Sequence, residues 1–287
     1  DGRRVPRRRP RTEGRVTPFL CDGPTVISFS GGRTSGLMLR RILDAHDGAL
    51  PSDVHVVFAN TGRERVETLR FVADCAQRWS VPVRWIERDW SRPAADRWRE
   101  VEYETASRDG EPFAQLIASK QFLPNALMRF CTQDLKIRPM RAFMKAQGHD
   151  LWTNVVGLRR DEPRRVARLR ARDHGQWDVA CPLYDAGVTV ADVAAFWRAQ
   201  PFDLALRPWE GNCDICFLKA RATRLRIMRD RPDLAAWWIA QETAARGTFV
   251  KHEPGYAASL DRVRRLPLLP MTLDAEADGC SGGACTD

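Results

Sequence analysis

The stretch that decides the fold is Thr25-Val-Ile-Ser-Phe-Ser-Gly-Gly-Arg-Thr-Ser35. Its first six residues are rich in β-branched and aromatic side chains and predict a short buried strand. Two glycines follow at once, and the apolar residues after Ser35 recur at helical spacing. The stretch therefore predicts a strand, a tight glycine turn and a helix, in that order.

The chain downstream repeats this alternation of strand and helix. A second apolar run closes on Asn60-Thr61-Gly62, and an amphipathic segment and a third apolar run follow it. Such alternation predicts an α/β fold with a doubly wound, mostly parallel sheet. The predicted strands are 54–59, 83–86, 151–156 and 179–183, and the predicted helices are 35–46, 65–79, 135–147, 189–200 and 234–245, the fourth with Thr189 and Asp192 as its N-terminal cap.

Composition divides the 287 residues into four parts. Much of the net charge of +9 lies in an arginine-rich N-terminus that has too few apolar side chains to order itself by burial. We predict a basic disordered tail at 1–19, an α/β domain at 20–205, a helical cysteine-bearing region at 206–250 and a C-terminal tail at 251–287. The tail at 1–19 has two interpretations, a nucleic-acid-binding arm and a segment without function.

Nothing in the sequence marks the chain for a membrane or for export. The hydrophobic content of 44% is typical of a globular protein with a core. No apolar run approaches the roughly 20 residues that span a bilayer, and the N-terminus lacks the apolar segment of a secretory signal. The expectation is a cytoplasmic protein with no membrane partner.

The turn Ser30–Ser35, which we call the SGG loop, has the chemistry of a phosphate site. Glycine lets phosphate oxygens approach backbone N–H groups, and the helix that follows presents unpaired N–H groups with a partial positive charge. Hydroxyl groups and the cation of Arg33 add further donors. The alternative is an ordinary strand–helix turn that needs glycine for its backbone angles.

Three motifs carry a resemblance to a known family. Ser30-Gly31-Gly32-x-x-Ser35 resembles the PP-loop of adenine-nucleotide α-hydrolases. The segment from Phe58 to Leu69 and the arginine-rich segment from Gly157 to Arg164 are similar to motifs of the phosphoadenosine-phosphosulfate (PAPS) reductase branch. The resemblance covers roughly residues 25–250 and has its three motifs in the family's order. It implies that residues 20–205 form a PP-loop nucleotide-binding domain.

The resemblance also implies which residues form the site. ATP or PAPS would bind at the SGG loop, and the catalytic groups would act on phosphate charge. Many PP-loops carry Asp where this chain has Thr34, and that Asp is associated with Mg²⁺, so Mg²⁺ is a weaker expectation here. The implied nucleotide-binding residues are Ser30, Gly31, Gly32, Arg33, Thr34, Ser35, Asn60, Thr61 and Gly62, and the implied catalytic residues are Arg33, Thr34, Arg159, Arg160 and Arg164.

The cysteines indicate metal or redox chemistry. Cys213-Asp-Ile-Cys216 has a spacing at which two thiolates can bind one metal centre. By resemblance, Cys131 joins this pair at an iron–sulfur cluster. The open interpretations are a three-cysteine [4Fe–4S] cluster, with Cys181 as a possible fourth ligand, a zinc site completed by Cys181 or His149, and a redox dithiol or buried thiols. Cys280 and Cys285 could form a mobile thiol pair or an incidental tail.

The functional hypothesis is ATP-dependent sulfur transfer within the PAPS reductase-like family. ATP would adenylate an acceptor, tRNA or DNA among the candidates, and sulfur from the cluster would displace AMP. The first alternative is thiol-dependent reduction of phosphoadenylyl sulfate or adenylyl sulfate to sulfite. The second is a catalytically inactive nucleic-acid-binding or regulatory module. The enzyme hypotheses each require a sulfur or electron donor protein.

Overall fold

A computed structural model describes residues 17–265. Its sheet has six strands in the order β4-β3-β2-β1-β5-β6, and only β4 runs antiparallel to its neighbour. The predicted α/β fold with a mostly parallel sheet is confirmed. The strands are β1 (Thr25–Ser28), β2 (Val54–Asn60), β3 (Val83–Glu87), β4 (Arg99–Val101), β5 (Trp152–Val156) and β6 (Trp177–Ala180).

Eleven α-helices lie within residues 17–265. A π-helical turn, Gln133–Ile137, joins the fourth and fifth into one continuous helical segment. The helices are α1 (Arg33–Ala45), α2 (Val66–Arg78), α3 (Glu111–Lys120), α4 (Phe130–Thr132), α5 (Arg138–Ala146), α6 (Pro163–Ala171), α7 (Pro182–Asp185), α8 (Val190–Arg198), α9 (Arg221–Asp230), α10 (Ala235–Ala245) and α11 (Tyr256–Arg265).

Helices cover both faces of the sheet because successive strand side chains point to opposite sides. In β1, Ile27 packs into the core shared with α1, α2 and α8, whereas Val26 packs into the core shared with α5. Both side chains are fully buried. The carboxyl ends of β1, β2 and β5 therefore open at one edge of the sheet, between two helical layers.

The C-terminal region builds a second apolar core with α3. Trp238 of α10 and Tyr256 of α11 stack at 5.3 Å between ring centroids, and the Tyr256 hydroxyl donates to the Ile215 carbonyl at 2.6 Å. Helix α11 lies inside the range 251–287 that was predicted as a tail, and its buried Tyr256 attaches it to the cysteine-bearing region. The domain boundaries at 205 and 250 remain predictions.

Local differences from the predicted elements have simple causes. The capping box of Thr189 and Asp192 is confirmed, with Thr189 N donating to Asp192 Oδ2 at 2.8 Å. Strand β6 ends at Ala180, earlier than predicted, because Pro182 begins helix α7. Strand β4 was not predicted because an edge strand of three residues is too short for periodicity to reveal. No helix between residues 17 and 265 has the length and apolarity needed to cross a membrane.

Candidate functional site

The SGG loop lies at the carboxyl edge of the sheet, between β1 and α1. Gly31 has φ +74°, a conformation that L side chains rarely adopt. A Cβ atom there would lie 2.7 Å from Thr68 Cγ2 and 2.9 Å from Val72 Cγ2, both on helix α2. The position therefore requires glycine for its backbone angle and for the close approach of α2.

Hydroxyl groups pin the loop against the first turn of α1. Ser30 Oγ and Ser35 Oγ lie 3.0 Å apart, and the Gly32 N–H donates to Ser35 Oγ at 3.2 Å. The Ser35 hydroxyl also contacts the Gly32 carbonyl at 3.0 Å. The loop is consequently held in a fixed shape at the N-terminus of a 13-residue helix, where anions are favoured.

The side chains of Arg33 and Thr34 both form hydrogen bonds with other residues of this chain. Arg33 donates to both carboxylate oxygens of Asp203 and to the Leu206 carbonyl. Thr34 Oγ1 accepts a hydrogen bond from Arg159 Nη1 at 3.2 Å. The structure thus brings Thr34 and Arg159 together, and it directs the guanidinium of Arg33 towards the segment after α8.

The remaining predicted arginines take different positions. Arg159 pairs with Asp161, with Nε 3.1 Å from Oδ1, and lies beside the loop. The Arg160 guanidinium lies over the Tyr184 ring at 5.0 Å from its centroid. Arg164 is exposed on α6. Its neighbour Arg165, which was not predicted, lines the cavity beside the loop.

Two cavities meet at Ser30. The first, which we call the loop cavity, has a volume of about 420 Å³ and is lined by Gly32, Arg33, Thr34, Ser35, Gly157 and Arg159 among others. The second, which we call the sheet-edge cavity, has a volume of about 360 Å³. Its walls include Ser28, Val57, Ala59, Lys136, Met140 and Asn154. Ser30 lines both, so one ligand could have its apolar part at the sheet edge and its phosphates at the loop.

Asn60 and its neighbours shape the turn after β2. Asn60 is fully buried, and its Nδ2 donates to Glu87 Oε1 at 2.6 Å and to the Ser107 carbonyl at 2.9 Å. Its Oδ1 accepts from the Gly62 N–H at 3.1 Å. Of this predicted trio, neither Asn60 nor Gly62 is among the described residues lining the two cavities at Ser30, and Thr61 lines a third cavity.

That third cavity, the cysteine cavity, is lined by Cys131, Cys213 and Cys216 and measures about 40 Å³. Burial raises the pKa of Cys131 and of Cys216 to about 11 and that of Cys213 to about 12. The structure brings together the three thiols that the sequence singled out. Within residues 17–265, it has no group of three or more His, Cys, Asp or Glu side chains arranged to hold a single metal ion.

Two lysines supply positive charge to this cavity. Lys136 lines it and lies 3.6 Å from Glu64 Oε1. Lys219 is 1% exposed, and its Nζ has no hydrogen-bond partner among the described residues. Burial lowers the pKa of Lys219, and the nearby thiols of Cys216 and Cys213 oppose that shift. A buried ammonium without a partner is costly, so the site fits an anionic group such as thiolates or an iron–sulfur cluster.

The other proposed ligands lie elsewhere. Cys181 belongs to a separate apolar cluster with Val156, Leu158 and Val166. His149 Nε2 lies 3.3 Å from His55 Nε2. Neither residue lines the cysteine cavity as the described residues form it. Cys280, Cys285 and the arginines of residues 1–16 lie outside the described residues.

Some features of the site carried no clear sequence signal. Asn212 Nδ2 donates to the Ser30 carbonyl at 2.8 Å, across 182 residues of chain. Thr132 and Lys136 line both the sheet-edge cavity and the cysteine cavity. Only the position of Asn212 next to the C-x-x-C pair hinted at its role, because long-range contacts leave no periodic pattern.

Comparison with known proteins adds the family. The model of the phosphoadenosine phosphosulfate reductase domain matches residues 24–200. An uncharacterized nin region protein of Escherichia phage lambda is 29% identical over 201 residues, which are 68% of this chain and 66% of that protein. An uncharacterized protein of Methanocaldococcus jannaschii is 27% identical over 140 residues, 48% of this chain and 23% of that protein. The chain thus matches less than two thirds of the length of either relative.

Two solved structures are similar to this chain at low sequence identity. The PAPS reductase of Candida auris, in a phosphate complex, has a TM-score of 0.40 and 18% identity, with 63% of this chain and 76% of that chain covered. The U34-tRNA thiolase NcsA of Methanococcus maripaludis, with its [4Fe-4S] cluster, has a TM-score of 0.44 and 11% identity, with 92% and 80% covered. The match of the family model spans more than half of the residues, and the chain belongs to the phosphoadenosine phosphosulfate reductase domain family.

Proposed function

We propose that this protein binds ATP at the SGG loop and transfers sulfur from the cysteine cavity to an activated acceptor. One observation carries the proposal: Thr132 and Lys136 line both the sheet-edge cavity and the cysteine cavity. A ligand at the loop and a sulfur-bearing group at Cys131, Cys213 and Cys216 would therefore be separated by a single helical wall.

The nucleotide would lie across the two cavities that meet at Ser30. Val57, Ala59 and Met140 give the sheet-edge cavity an apolar wall for a base. Backbone N–H groups at the start of α1 would hold the phosphates, and Arg159 lies beside them through Thr34. In the first step, an acceptor oxygen attacks the α-phosphorus and pyrophosphate leaves. In the second, sulfur replaces the adenylated oxygen and AMP leaves.

The three cysteines would hold the sulfur chemistry. A [4Fe–4S] cluster, if these thiolates held one, would supply the sulfur chemistry of the transfer. Cys131, Cys213 and Cys216 would be the ligands, and Lys136 and Lys219 would balance the negative charge. Zinc bound by the same thiolates is the alternative occupant. All six described cysteines are free, as cytoplasmic reducing conditions require, and a cytoplasmic location is part of the proposal.

The acceptor is proposed to be a nucleic acid, tRNA or DNA. Arg164, Arg168 and Arg172 are exposed, recur every fourth residue along α6 and its end, and have no ion pair with another residue of the range 17–265. Four residues of helix advance about 6 Å, so the three cations form a line that suits the phosphates of one strand. Arg168 and Arg172 also line the sheet-edge cavity. If nucleic acid binds but no nucleotide is consumed, the protein is instead a non-catalytic binding module.

Reduction of PAPS or adenylyl sulfate to sulfite is the second candidate. The residue that favours it is Thr34. A carboxylate at this position would bind Mg²⁺ and assist pyrophosphate release, whereas Thr34 Oγ1 accepts a hydrogen bond from Arg159. In this version a thiol attacks the sulfate sulfur, a thiosulfonate forms and the nucleotide phosphate leaves. A second thiol, from a donor protein, then releases sulfite and leaves a disulfide.

A direct experiment separates these functions. The protein is purified without oxygen, and its iron, zinc and visible absorption are measured before turnover. Pyrophosphate release from ATP in the presence of tRNA or DNA supports sulfur transfer, whereas sulfite formation from PAPS or adenylyl sulfate with a reduced dithiol supports reductase activity. If an iron-loaded protein gives neither product, both proposals are wrong.

A further inference from the structure

The residue that precedes Cys213 is attached to the SGG loop. Asn212 Nδ2 donates to the Ser30 carbonyl at 2.8 Å. The same amide packs against Gly32, where a Cβ atom would lie 3.1 Å from Nδ2 and 3.2 Å from Oδ1. The side chain of Asn212 therefore fills the space beside the loop and fixes the direction of one loop carbonyl.

The backbone of this segment is anchored on the other side as well. The Asn212 carbonyl accepts from the Arg65 N–H at 2.9 Å and from Thr68 Oγ1 at 3.4 Å. Cys213 then forms an isolated antiparallel bridge with Glu64. Asn212 thus joins three parts of the molecule: the loop, the start of helix α2 and the C-x-x-C pair.

Asn212, Ser30 and Gly32 all line the loop cavity, so the bond from Asn212 to the Ser30 carbonyl lies at the edge of the proposed phosphate site. The Ser30 carbonyl and the Gly31 N–H belong to the same planar trans peptide and point in opposite directions. When Asn212 fixes the carbonyl, it also fixes the N–H. A donor to the carbonyl polarises the peptide and strengthens the N–H as a donor to an anion. Conversely, an anion on the N–H strengthens the carbonyl's bond to Asn212.

We propose that Asn212 couples the nucleotide site to the cysteine site. A nucleotide at the SGG loop tightens the bond between Ser30 and Asn212 and so restrains Cys213, the next residue. By linkage, a group bound at the cysteines strengthens nucleotide binding by the same factor. The inference rests on the proposed function for the identity of the nucleotide, but it does not depend on which metal the cysteines hold.

Two simpler explanations must be distinguished from this coupling. A nucleotide could cover Cys213 sterically, or Asn212 could be a static brace that no ligand influences. Steric cover would persist without the Asn212 amide, and a static brace would give no response of Cys213 to nucleotide. The decisive measurement is therefore the response of Cys213 to nucleotide with and without the amide.

The test measures alkylation of Cys213 by iodoacetamide in the metal-free full-length chain, resolved by peptide mass spectrometry. Rates are compared with and without ATP, and with and without PAPS, and equilibrium dialysis measures binding of each nucleotide. We expect nucleotide to slow labelling of Cys213 at least about fivefold, the lower end of typical coupling. Cys21, which is half-buried and distant in sequence, serves as the internal reference.

Because Asn212 also lines the loop cavity, Asn212→Ala is tested at nucleotide concentrations that saturate it by equilibrium dialysis, and it should then lose most of this protection. Asn125→Ala is the matched control, because among the described residues the Asn125 side chain accepts only from N–H groups of its own loop, at Leu127 and Met128. It should keep full protection. If Asn212→Ala does not fold, the isosteric Thr68→Val, which removes the hydroxyl contact to the Asn212 carbonyl, should reduce the protection in part.

Each remaining result overturns the inference in a distinguishable way. If nucleotide binds but does not slow labelling of Cys213, there is no coupling, and the proposed function stands. The same conclusion follows if the Asn212 variant, or the Thr68 variant used in its place, shows the same protection as the wild type. Absence of binding by both ATP and PAPS removes the proposed function and the coupling together. In iron-loaded protein, ATP should also slow iron release to a chelator in the wild type more than in Asn212→Ala.

Discussion

Arg33 forms a bidentate pair with Asp203, with Nε 2.7 Å from Oδ1 and Nη2 2.5 Å from Oδ2. The first residue of α1 is thereby tied to the segment after α8, although its position in the SGG loop suggested a phosphate ligand. The two side chains are 23% and 40% exposed, so solvent weakens the pair.

The pair is expected to stabilise the fold more than it serves the nucleotide. Arg33→Ala and Asp203→Ala should each lower the free energy of unfolding by about 1 kcal/mol or less, with a double variant that is less than additive. Urea unfolding of the four proteins measures this. If Arg33→Ala weakens ATP binding strongly while Asp203→Ala does not, Arg33 leaves Asp203 to bind phosphate.

Gly31→Ala should be strongly destabilising. The new Cβ would combine a strained φ of +74° with contacts under 3.0 Å to buried groups of α2. We expect a loss of about 2–4 kcal/mol from strain and overpacking together, with loss of nucleotide binding. Gly48→Ala is the control, since Gly48 has φ +84° but nothing within 4 Å of its Cβ position. It should lose only about 1–2 kcal/mol in urea unfolding, and equal losses would contradict the packing argument.

Substitution of the cysteines should distinguish the three proposed metal ligands from Cys181, which we do not expect to bind the metal. Cys131→Ser, Cys213→Ser and Cys216→Ser should each reduce bound iron or zinc and the associated absorption after anaerobic purification. Cys181→Ser should retain the metal, because Cys181 packs in a different apolar cluster. Circular dichroism checks that the folds are retained. Full metal content in a folded Cys213→Ser protein would remove the ligand assignment.

The line of arginines on α6 should govern nucleic-acid binding. A triple Arg164, Arg168 and Arg172 to Ala variant should bind single-stranded RNA or DNA more weakly. The slope of log K against log salt concentration should also become less steep by about two, because each lost phosphate contact contributes about 0.7. Arg170→Ala is the matched control, because Arg170 pairs with Asp185 at 2.7 Å. Fluorescence anisotropy measures both; an unchanged slope would assign binding to another surface.

The lowered pKa of His55 should make stability depend on pH. Burial first, then His149 and Arg84, lowers the pKa of His55 below its ordinary value, while Asp53 opposes the shift. The unfolded chain therefore binds a proton more readily than the native one, so the contribution is full above about pH 6.5 and is lost as the pH falls through the lower native pKa.

Thermal unfolding between pH 5 and 8 should show this loss in the wild type. His55→Gln should flatten the profile, whereas His252→Gln, at an exposed position, should leave its slope unchanged. An unchanged slope in His55→Gln would show that other groups set the acid sensitivity.

The sequence predicted the sheet and the loop because their signals are local. The apolar run of β1, the Gly31-Gly32 pair and the capping box at Thr189 each lie within a few residues. The spacing joined Cys213 and Cys216, and the family resemblance added Cys131. The structure places all three at one cavity.

The rest depended on contacts between distant segments. No local pattern indicates that the Arg33 guanidinium binds Asp203. Nor does any pattern indicate that the Asn60 amide donates to Glu87 and to the Ser107 carbonyl. Such partners are set by the way the sheet and helices pack, and a single sequence carries no record of them. A residue type suited to a ligand here satisfies a buried neighbour instead.

The wall formed by Thr132 and Lys136 has a consequence for containment. A reactive sulfur species released at Cys131 would reach the sheet-edge cavity by passing two side chains of one helical segment. In the proposed sulfur transfer, that path would be lined by side chains that both cavities share. The continuous helical segment from Phe130 to Ala146 would then form the shared wall between the two cavities, with its π-helical turn, Gln133–Ile137, at that wall.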